Sequence, residues 1–349
     1  MKILSKVVIV TTILVFFLFM GNFYIEYTKS TEVLKVKTST PENFKVAFIA
    51  DQGLNQNSVK VLKLIKEENA SMVLHSGDLD YMGNPNAWDQ MISNTLGEEF
   101  PYFITIGNHE IDKWSKYQKK AQERLDKVDG AYCVGDLGLQ SACTYKGIFF
   151  ISSGIGTKGY LYNPSNFPEI VPWRIRYPLI TFPSQIIHTK YIKEQLKYNT
   201  TWKICSIHKN QRLMQPGNKQ DEIGWQAYEE CKKEGAMIVA GHEHSYARTY
   251  LMESLKNQKI ASTSNTIQLE PGKTFIIISG LAGQSIRPEN KELASSPWWA
   301  AIYTATQNAQ YGALFCTFNY QGKENVAYCY FKDIASNIPD EFYIVNQKI

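Results

Sequence analysis

The chain has 349 residues, of which 44% are hydrophobic and 20% are charged. This content is too apolar for an intrinsically disordered chain, and 22 Gly with 13 Pro is ordinary usage that excludes collagen-like and low-complexity sequences. The formal net charge of +4 is spread along the chain without a basic cluster, so the composition does not favour nucleic acid as a partner.

The first predicted element is an apolar segment over residues 7–25, preceded by Lys2 and Lys6. As a helix it would be about 28 Å long, close to the ~30 Å hydrocarbon core of a bilayer. It is therefore either a cleaved signal peptide or a retained membrane anchor, and the lack of a small-residue cleavage site close behind it favours the anchor. The lysines near both ends of the segment do not settle the orientation of an anchor. We place the rest of the chain outside the cytoplasm because the segment is N-terminal and because of the cysteine pairs described below, with the membrane as the partner of this segment.

Residues 26–42 are polar and indicate a linker. We accordingly divide the chain into an N-terminal anchor or signal segment, a linker and one domain, over residues 1–30, 31–42 and 43–349.

The body begins with an alternation of short apolar runs and amphipathic stretches. The runs predict strands over 44–50, 72–75, 102–106, 202–207 and 237–240. Apolar residues at helical spacing predict helices over 57–69, 112–127 and 225–234. This alternation is typical of an α/β body with buried strands.

After residue 244 the sequence predicts strands without intervening helices, over 246–252, 274–279, 311–318, 326–331 and 341–345. We therefore expect a second, more antiparallel sheet. Residues 154–187 are rich in Pro, Gly and aromatic residues and show no periodicity, which predicts a loop over a site.

The six cysteines fall into three pairs. Cys133 and Cys143 flank a Gly-rich turn, and Cys316 and Cys329 flank a predicted hairpin. Cys205 and Cys231 lie in adjacent β–α elements and can form a third bridge. The alternative is six free thiols, as in a cytosolic protein. Behind an export segment we expect disulfides, with the first two pairs the most direct candidates.

Polar residues follow five of the predicted strands. The motifs are Asp51-Gln52-Gly53, Gly77-Asp78-Leu79-Asp80-Tyr81, Gly107-Asn108-His109-Glu110, Ser206-Ile207-His208 and Gly241-His242-Glu243-His244. A single Asp after a strand is usually a helix cap, and a single His is usually structural. Together, however, the motifs contain four of the six histidines and converge at the strand ends where open α/β sheets bind ligands. They predict a metal or phosphate site.

In these motifs the sequence resembles the calcineurin-like metallophosphoesterases, and among them the purple acid phosphatases. The general family begins with the pattern DxH, whereas Gly53 stands here at the histidine position. Tyr81, in a GDxxY segment, is similar to the purple acid phosphatase arrangement, as is the segment 241–248. The likeness covers most of residues 43–250. It implies an α/β fold in four layers, an αββα sandwich of two mixed β-sheets flanked by helices.

The resemblance also implies two sets of metal ligands that share Asp78. One metal would be bound by Asp51, Asp78, Tyr81 and His244. The other would be bound by Asp78, Asn108, His208 and His242. His109 would lie beside the substrate as proton donor or electrostatic stabiliser, and a hydroxide bridging the metals would attack a small phosphate monoester. The alternatives are a phosphodiesterase or nucleotidase with the same site, and a non-catalytic receptor or scaffold. Neither the motifs nor the resemblance predicts a specific protein partner.

Charge counting favours iron in the first position. Two divalent ions and two carboxylates leave a charge of +2, and replacing a neutral His by the tyrosinate of Tyr81 would lower it to +1. A trivalent ion restores the charge, and phenolate is a hard donor suited to Fe(III). We therefore expect Fe(III) together with Fe(II), Zn or Mn.

One stretch departs from the family pattern. The relatives carry histidines after the fourth motif, whereas Lys209, Asn210, Gln211 and Arg212 follow His208 here. Lys209 or Arg212 would either bind substrate phosphate or belong to a solvated loop.

Overall fold

The computed structural model describes residues 33–35, 38–157 and 185–347. The predicted anchor over 7–25 lies outside the described residues, as does most of the stretch 154–187 that was predicted to be a loop. In the ranges that are described, none of the helices has the length and apolar character needed to cross a bilayer.

The strands of the described residues are β1 Phe44–Ile49, β2 Met72–Ser76, β3 Tyr102–Thr105, β4 Ala131–Asp136, β5 Gln140–Tyr145, β6 Ile148–Ser153, β7 Trp202–Ile207, β8 Met237–Ala240, β9 Tyr246–Thr249, β10 Leu251–Ser254, β11 Lys259–Ser262, β12 Thr266–Leu269, β13 Ile276–Ser279, β14 Trp299–Tyr303, β15 Gly312–Tyr320, β16 Lys323–Asp333 and β17 Asp340–Asn346. The helices are α1 Gln56–Glu67, α2 Pro85–Leu96, α3 Trp114–Leu125, α4 over 185–195, α5 Gln226–Lys233 and α6 Lys291–Ala294.

Helix α1 shows how the local sequence sets an element. The Asn55 side chain accepts hydrogen bonds from the backbone N–H groups of Asn57 and Ser58 and so caps the N-terminus. Apolar residues at helical spacing then give it one buried face. The predicted helix over 57–69 is thus confirmed with slightly shifted ends. Helices α2 and α4 and strands β4 to β6 were not predicted.

The strands form two large mixed sheets. One has the order β12-β17-β16-β15-β1-β2-β3, and the other has the order β14-β9-β13-β8-β7-β6-β5-β4. Strands β1 to β3 are mutually parallel, as are β6 to β8 and β13. The expectation of a separate sheet from the C-terminal strands was wrong. Strands β15 to β17 extend the β1–β3 sheet through the antiparallel pairing of β15 with β1. Strand β13 continues the other sheet in parallel with β8, and β9 and β14 follow it as antiparallel edge strands.

Alternation along the strands explains the layers. In β6, Ile148 and Phe150 belong to the larger core cluster, whereas Phe149 and Ile151 belong to a second cluster shared with α5. Successive side chains point to opposite faces of a strand, so this sheet is buried on both faces. Aromatic contacts join the two sheets: the ring centroids of Phe103 and Phe150 are 4.8 Å apart. The predicted architecture of two mixed sheets flanked by helices is confirmed.

All six cysteines form disulfides. The two predicted bridges, Cys133–Cys143 and Cys316–Cys329, join directly opposite residues of antiparallel strand pairs. The third, Cys205–Cys231, joins β7 to α5. The alternative of free thiols is therefore wrong, and the bridges indicate an oxidising compartment.

Residues of the predicted linker contact the body where they are described. Leu34 is buried, and the Thr38 hydroxyl accepts a 2.8 Å hydrogen bond from the backbone of Gly147.

Candidate metal centre

The five polar motifs lie at the carboxyl ends of parallel strands from both sheets. Asp51, Asp78 and Asn108 follow β1, β2 and β3 of one sheet, and His208 and His242 follow β7 and β8 of the other. The site is therefore formed where the ends of two stacked sheets meet, and not at the edge of a single open sheet. This is a difference from the sequence-based expectation, which had the motifs on neighbouring strands.

Four of the predicted ligands have left-handed backbone conformations. The φ angles are 58° for Asp51, 57° for Asp78, 59° for Tyr81 and 69° for His242. Non-glycine residues rarely adopt this region, and it persists where surrounding contacts impose it. Such a concentration of strained residues at one edge is typical of a functional site.

Asp51, Tyr81 and His244 form the first cluster. The Tyr81 hydroxyl lies 2.9 Å from Oδ1 of Asp51 and 2.9 Å from Nε2 of His244. The His244 Nδ1 donates to the carbonyl of Ser285 at 2.7 Å, which leaves Nε2 as the atom that faces the cluster. These contacts bring together three of the four residues predicted for the first metal.

Asp78, His208 and His242 form the second cluster. One ligand atom from each of these buried residues lies within 4.8 Å of the others, a spacing suited to a metal ion. Nε2 of His208 is 3.2 Å from Oδ1 of Asp78, while its Nδ1 donates to the carbonyl of Ser76 at 2.8 Å. These contacts bring together three of the four residues predicted for the second metal.

His109 lies against Asp78. The backbone N–H of His109 donates to Oδ1 of Asp78 at 3.1 Å, and its Nε2 is 3.8 Å from Oδ2. The His109 side chain is 45% exposed and its ring centroid is 4.2 Å from that of Tyr81. Among the predicted site residues, His109 is therefore open to solvent and accessible to a substrate.

Two glycines let the loops approach this closely. A Cβ on Gly107 would lie 2.1 Å from Oδ1 of Asp78, and a Cβ on Gly77 would lie 2.6 Å from Nδ1 of His208. Any larger residue at either position would push a predicted ligand out of place.

Burial and charge set the protonation of the ligands. Burial first, and then the charge of His208, lowers the pKa of His242 to about 4, and burial with Arg287 lowers that of His244 to about 3. Both imidazoles are neutral at neutral pH, the form that binds metals. Burial opposes the charge of His208, but Asp78 outweighs it and raises the pKa of His208 to about 9. The charge of His208 in turn holds the pKa of Asp78 well below its usual range, against the effect of burial.

The residues present fit a pair of metal ions. Oδ1 of Asn108 is buried and makes no hydrogen bond within the described part of the chain. An unsatisfied buried acceptor is costly unless a cation or donor meets it. In the metal-free protein a proton on His208 balances Asp78, and a metal ion would take the place of that proton.

Sequence reasoning assigned no role to three features that hold the ligands. Glu110 accepts hydrogen bonds from the backbones of Gly107, Asp78 and Leu79 at 2.8, 3.2 and 2.7 Å. It thereby ties the second motif to the third. Its position next to His109 was visible in the sequence, but its inward orientation was not.

The second missed feature is Glu222, whose Oε2 lies 2.8 Å from Nε2 of His242. Nδ1 is therefore the nitrogen of His242 left to bind a metal. Glu222 also pairs with Lys209, so Lys209 is not the free phosphate-binding cation that was one of its two predicted roles. His242 and Lys209 outweigh burial and lower the pKa of Glu222 to about 2, which keeps it anionic.

The third is the segment 282–287, which runs along the Asp51 loop. The backbone N–H groups of Ala282 and Gln284 donate to the carbonyls of Ala50 and Asp51. The carbonyl of Ser285 accepts the hydrogen bond from Nδ1 of His244. The sequence signal was a glycine directly after the apolar run 276–279, the same signal that opens three of the five motifs, at Gly77, Gly107 and Gly241.

Comparisons with known proteins agree with this fold. The model of the calcineurin-like phosphoesterase family matches residues 44–246, more than half of the chain. No curated protein sequence gives a significant match.

Among solved structures, purple acid phosphatase PPD1 from yellow lupin (Lupinus luteus) seeds is similar at 14% identity with a TM-score of 0.55, over 88% of this chain and 54% of that one. This chain therefore spans about half the length of that protein. A structure of PhoD is similar at 12% identity with a TM-score of 0.49, over 88% of this chain and 73% of that one.

Proposed function

The chain belongs to the calcineurin-like phosphoesterase family, and from this premise we propose that it is a metal-dependent phosphatase that hydrolyses phosphate monoesters. The observation that carries the proposal is the pair of ligand clusters that meet at Asp78. Asp51, Tyr81 and His244 lie on one side of it, and His208 and His242 lie on the other. Two positions that share one carboxylate are the arrangement needed for a dinuclear site.

We propose the predicted ligand sets for these two positions. Asp51, Tyr81 and His244 would hold the first ion, Asn108, His208 and His242 the second, and Asp78 both. When bound, two metal ions supply positive charge that polarises a phosphate and acidifies water. The chain's own contribution is to orient these ligands through Ser285, Ser76 and Glu222 and to keep the two imidazoles neutral.

His109 is proposed to act on the substrate. It is exposed, adjoins Asp78 and stacks near Tyr81, so it can reach a phosphate ester held at this edge. A histidine in this position can give a proton to the leaving oxygen or stabilise the charge that develops on phosphate.

For the first position we propose Fe(III), with Fe(II), Zn or Mn in the second. Burial and the charge of Asp51 raise the pKa of Tyr81 far above its usual value in the metal-free protein. Only a strongly Lewis-acidic ion would ionise it, which supports a trivalent metal.

We propose that the enzyme works outside the cytoplasm. The three disulfides support an oxidising compartment, and the apolar run 7–25 supports export with retention at a membrane or release after cleavage.

Elemental analysis of the purified full-length protein, combined with paired assays, tests the function. We expect two metal ions per chain including iron, and faster hydrolysis of p-nitrophenyl phosphate than of bis-p-nitrophenyl phosphate. Preference for the diester would assign the site to a phosphodiesterase. Stoichiometric metal without hydrolysis of either compound would assign it to a receptor or scaffold.

A further inference from the structure

Two cationic residues without acidic partners lie beside the ligand clusters. Lys219 and Arg287 are both half-buried, and neither has a carboxylate within ion-pair distance in the described ranges. Lysine and arginine side chains that are partly buried are usually paired with an anionic group, because removing an unpaired cation from water costs free energy.

The backbone fixes Arg287 next to two predicted ligands. Its backbone N–H donates to the carbonyl of His244 at 3.0 Å, and its Nη1 donates to the carbonyl of His242 at 3.3 Å. The guanidinium thus uses one donor on the protein, and other N–H groups of its fork remain available to an anion.

The loop of Lys219 is attached to the loop of Arg287. The backbone N–H of Asn290 donates to Pro216 at 2.8 Å, and its side chain donates to that of Asn218 at 2.7 Å. The Gln215 side-chain amide donates a 3.1 Å hydrogen bond to the backbone carbonyl of Lys219. These bonds bring the two loops together, and burial first, then the charge of Arg287, lowers the pKa of Lys219.

The acidic residues around this pair are otherwise engaged or at a distance. Asp51 belongs to the first ligand cluster, and Glu222 pairs with Lys209 and His242. Glu243 packs against Gly217 and is buried, but makes no ion pair with either cation. Among the described residues, the two positive charges are therefore opposed by one carboxylate that has no other partner, that of Glu243. An anion from solution would neutralise the remaining positive charge.

We propose that Lys219 and Arg287 bind a second anionic group of the substrate, so that the preferred substrates are phosphomonoesters carrying another phosphate beside the one that is cleaved. This inference rests on the proposed function, because it places the cleaved phosphate at the neighbouring ligand clusters. A phosphate dianion matches the two cations better than a carboxylate does, since it offers more acceptor oxygens and twice the charge.

The test uses three ligands that differ only in the second group: ethylene glycol monophosphate, phosphoglycolate and ethylene glycol bisphosphate. Their dissociation constants are measured by calorimetry on the full-length metal-loaded protein, and KM is measured in parallel. The variants are Lys219→Gln and Arg287→Gln, with Arg287→Lys as the conservative change and Lys256→Gln as the control. Lys256 is exposed on the turn between β10 and β11.

We expect the bisphosphate to bind about tenfold more tightly than the monophosphate. Each Gln variant should lose about tenfold in bisphosphate affinity while the monophosphate changes less than about twofold. Arg287→Lys should lose less than Arg287→Gln, and Lys256→Gln should match the unaltered protein.

Equal losses for all three ligands would overturn the inference, as would the absence of a bisphosphate preference in the unaltered protein. Phosphoglycolate binding as tightly as the bisphosphate would overturn the assignment to phosphate. If no ligand is hydrolysed, the proposed function fails, yet the calorimetric comparison still decides whether the second subsite exists.

Discussion

The two halves of the candidate metal centre differ in how their polar atoms are satisfied. In the first half the proton of Tyr81 lies between Asp51 and His244, and all three side chains have partners. In the second half Nε2 of His208 lies 3.2 Å from Oδ1 of Asp78, and Oδ1 of Asn108 is buried without a hydrogen-bond partner among the described residues. Each half therefore contains a proton that a metal must displace, on Tyr81 in the first and on His208 in the second, but only the second also presents an unpaired buried acceptor to a cation.

The supports of the two halves differ as well. The first half rests on a backbone carbonyl, that of Ser285. The second has such a carbonyl as well, that of Ser76 behind His208, and in addition a charged pair, Glu222 with Lys209, behind His242. A carboxylate behind a histidine fixes its orientation and raises its basicity. The second half should therefore be the more sensitive to single side-chain changes outside the ligand set.

The largest effect is expected from Asp78→Asn, because Asp78 is the residue common to both halves. Activity toward p-nitrophenyl phosphate should fall by at least about 10⁴-fold, and both metals should be lost on dialysis. Elemental analysis and turnover measure the two losses. Asp112→Asn, on an exposed turn, is the control and should retain both. Retention of one full metal equivalent by Asp78→Asn would show that the halves are independent.

His109→Ala tests a residue that belongs to neither half. Turnover should fall by about 10²–10⁴-fold while both metals stay bound, because the side chain is assigned to the substrate. Normal turnover, or loss of metal stoichiometry, would show that the assigned role is wrong.

Tyr81→Phe removes the proton that closes the first half and also the proposed phenolate. If the first ion is Fe(III), the oxidised protein should be coloured by charge transfer from phenolate, and the variant should lose that visible band. The first metal should be held about 100-fold more weakly, with the second largely retained. Absorption spectra and metal titration provide the measurement, and exposed Tyr132→Phe is the matched control. Fully active, colourless and iron-free protein would refute the tyrosinate assignment.

Glu222→Gln tests the support of the second half. Loss of the carboxylate behind His242 should weaken the second metal by about tenfold and leave the first unchanged. The measurement is competitive chelation followed by elemental analysis, with exposed Glu292→Gln as the control. An equal loss of both metals would mean that Glu222 supports the whole loop and not one ligand.

Much of the fold followed from local patterns. The apolar run 44–50 and the amphipathic stretch 57–69 became β1 and α1, since side-chain periodicity and an Asn cap are properties of neighbouring residues. The two cysteine pairs that flank short turns became disulfides for the same reason. Strand β6, by contrast, was missed, although its apolar run is of the same kind as those that predicted β2, β7 and β8.

The sequence by itself determined which residue types end each strand, and with them the seven candidate ligands and His109. Only the tertiary structure decided that these residues come from two stacked sheets. It also decided that Glu222 supports His242, and that Lys219 and Arg287 lie beside the clusters. The physical reason is that these partners are far apart along the chain. Their approach depends on strand order and sheet packing, which no local pattern encodes.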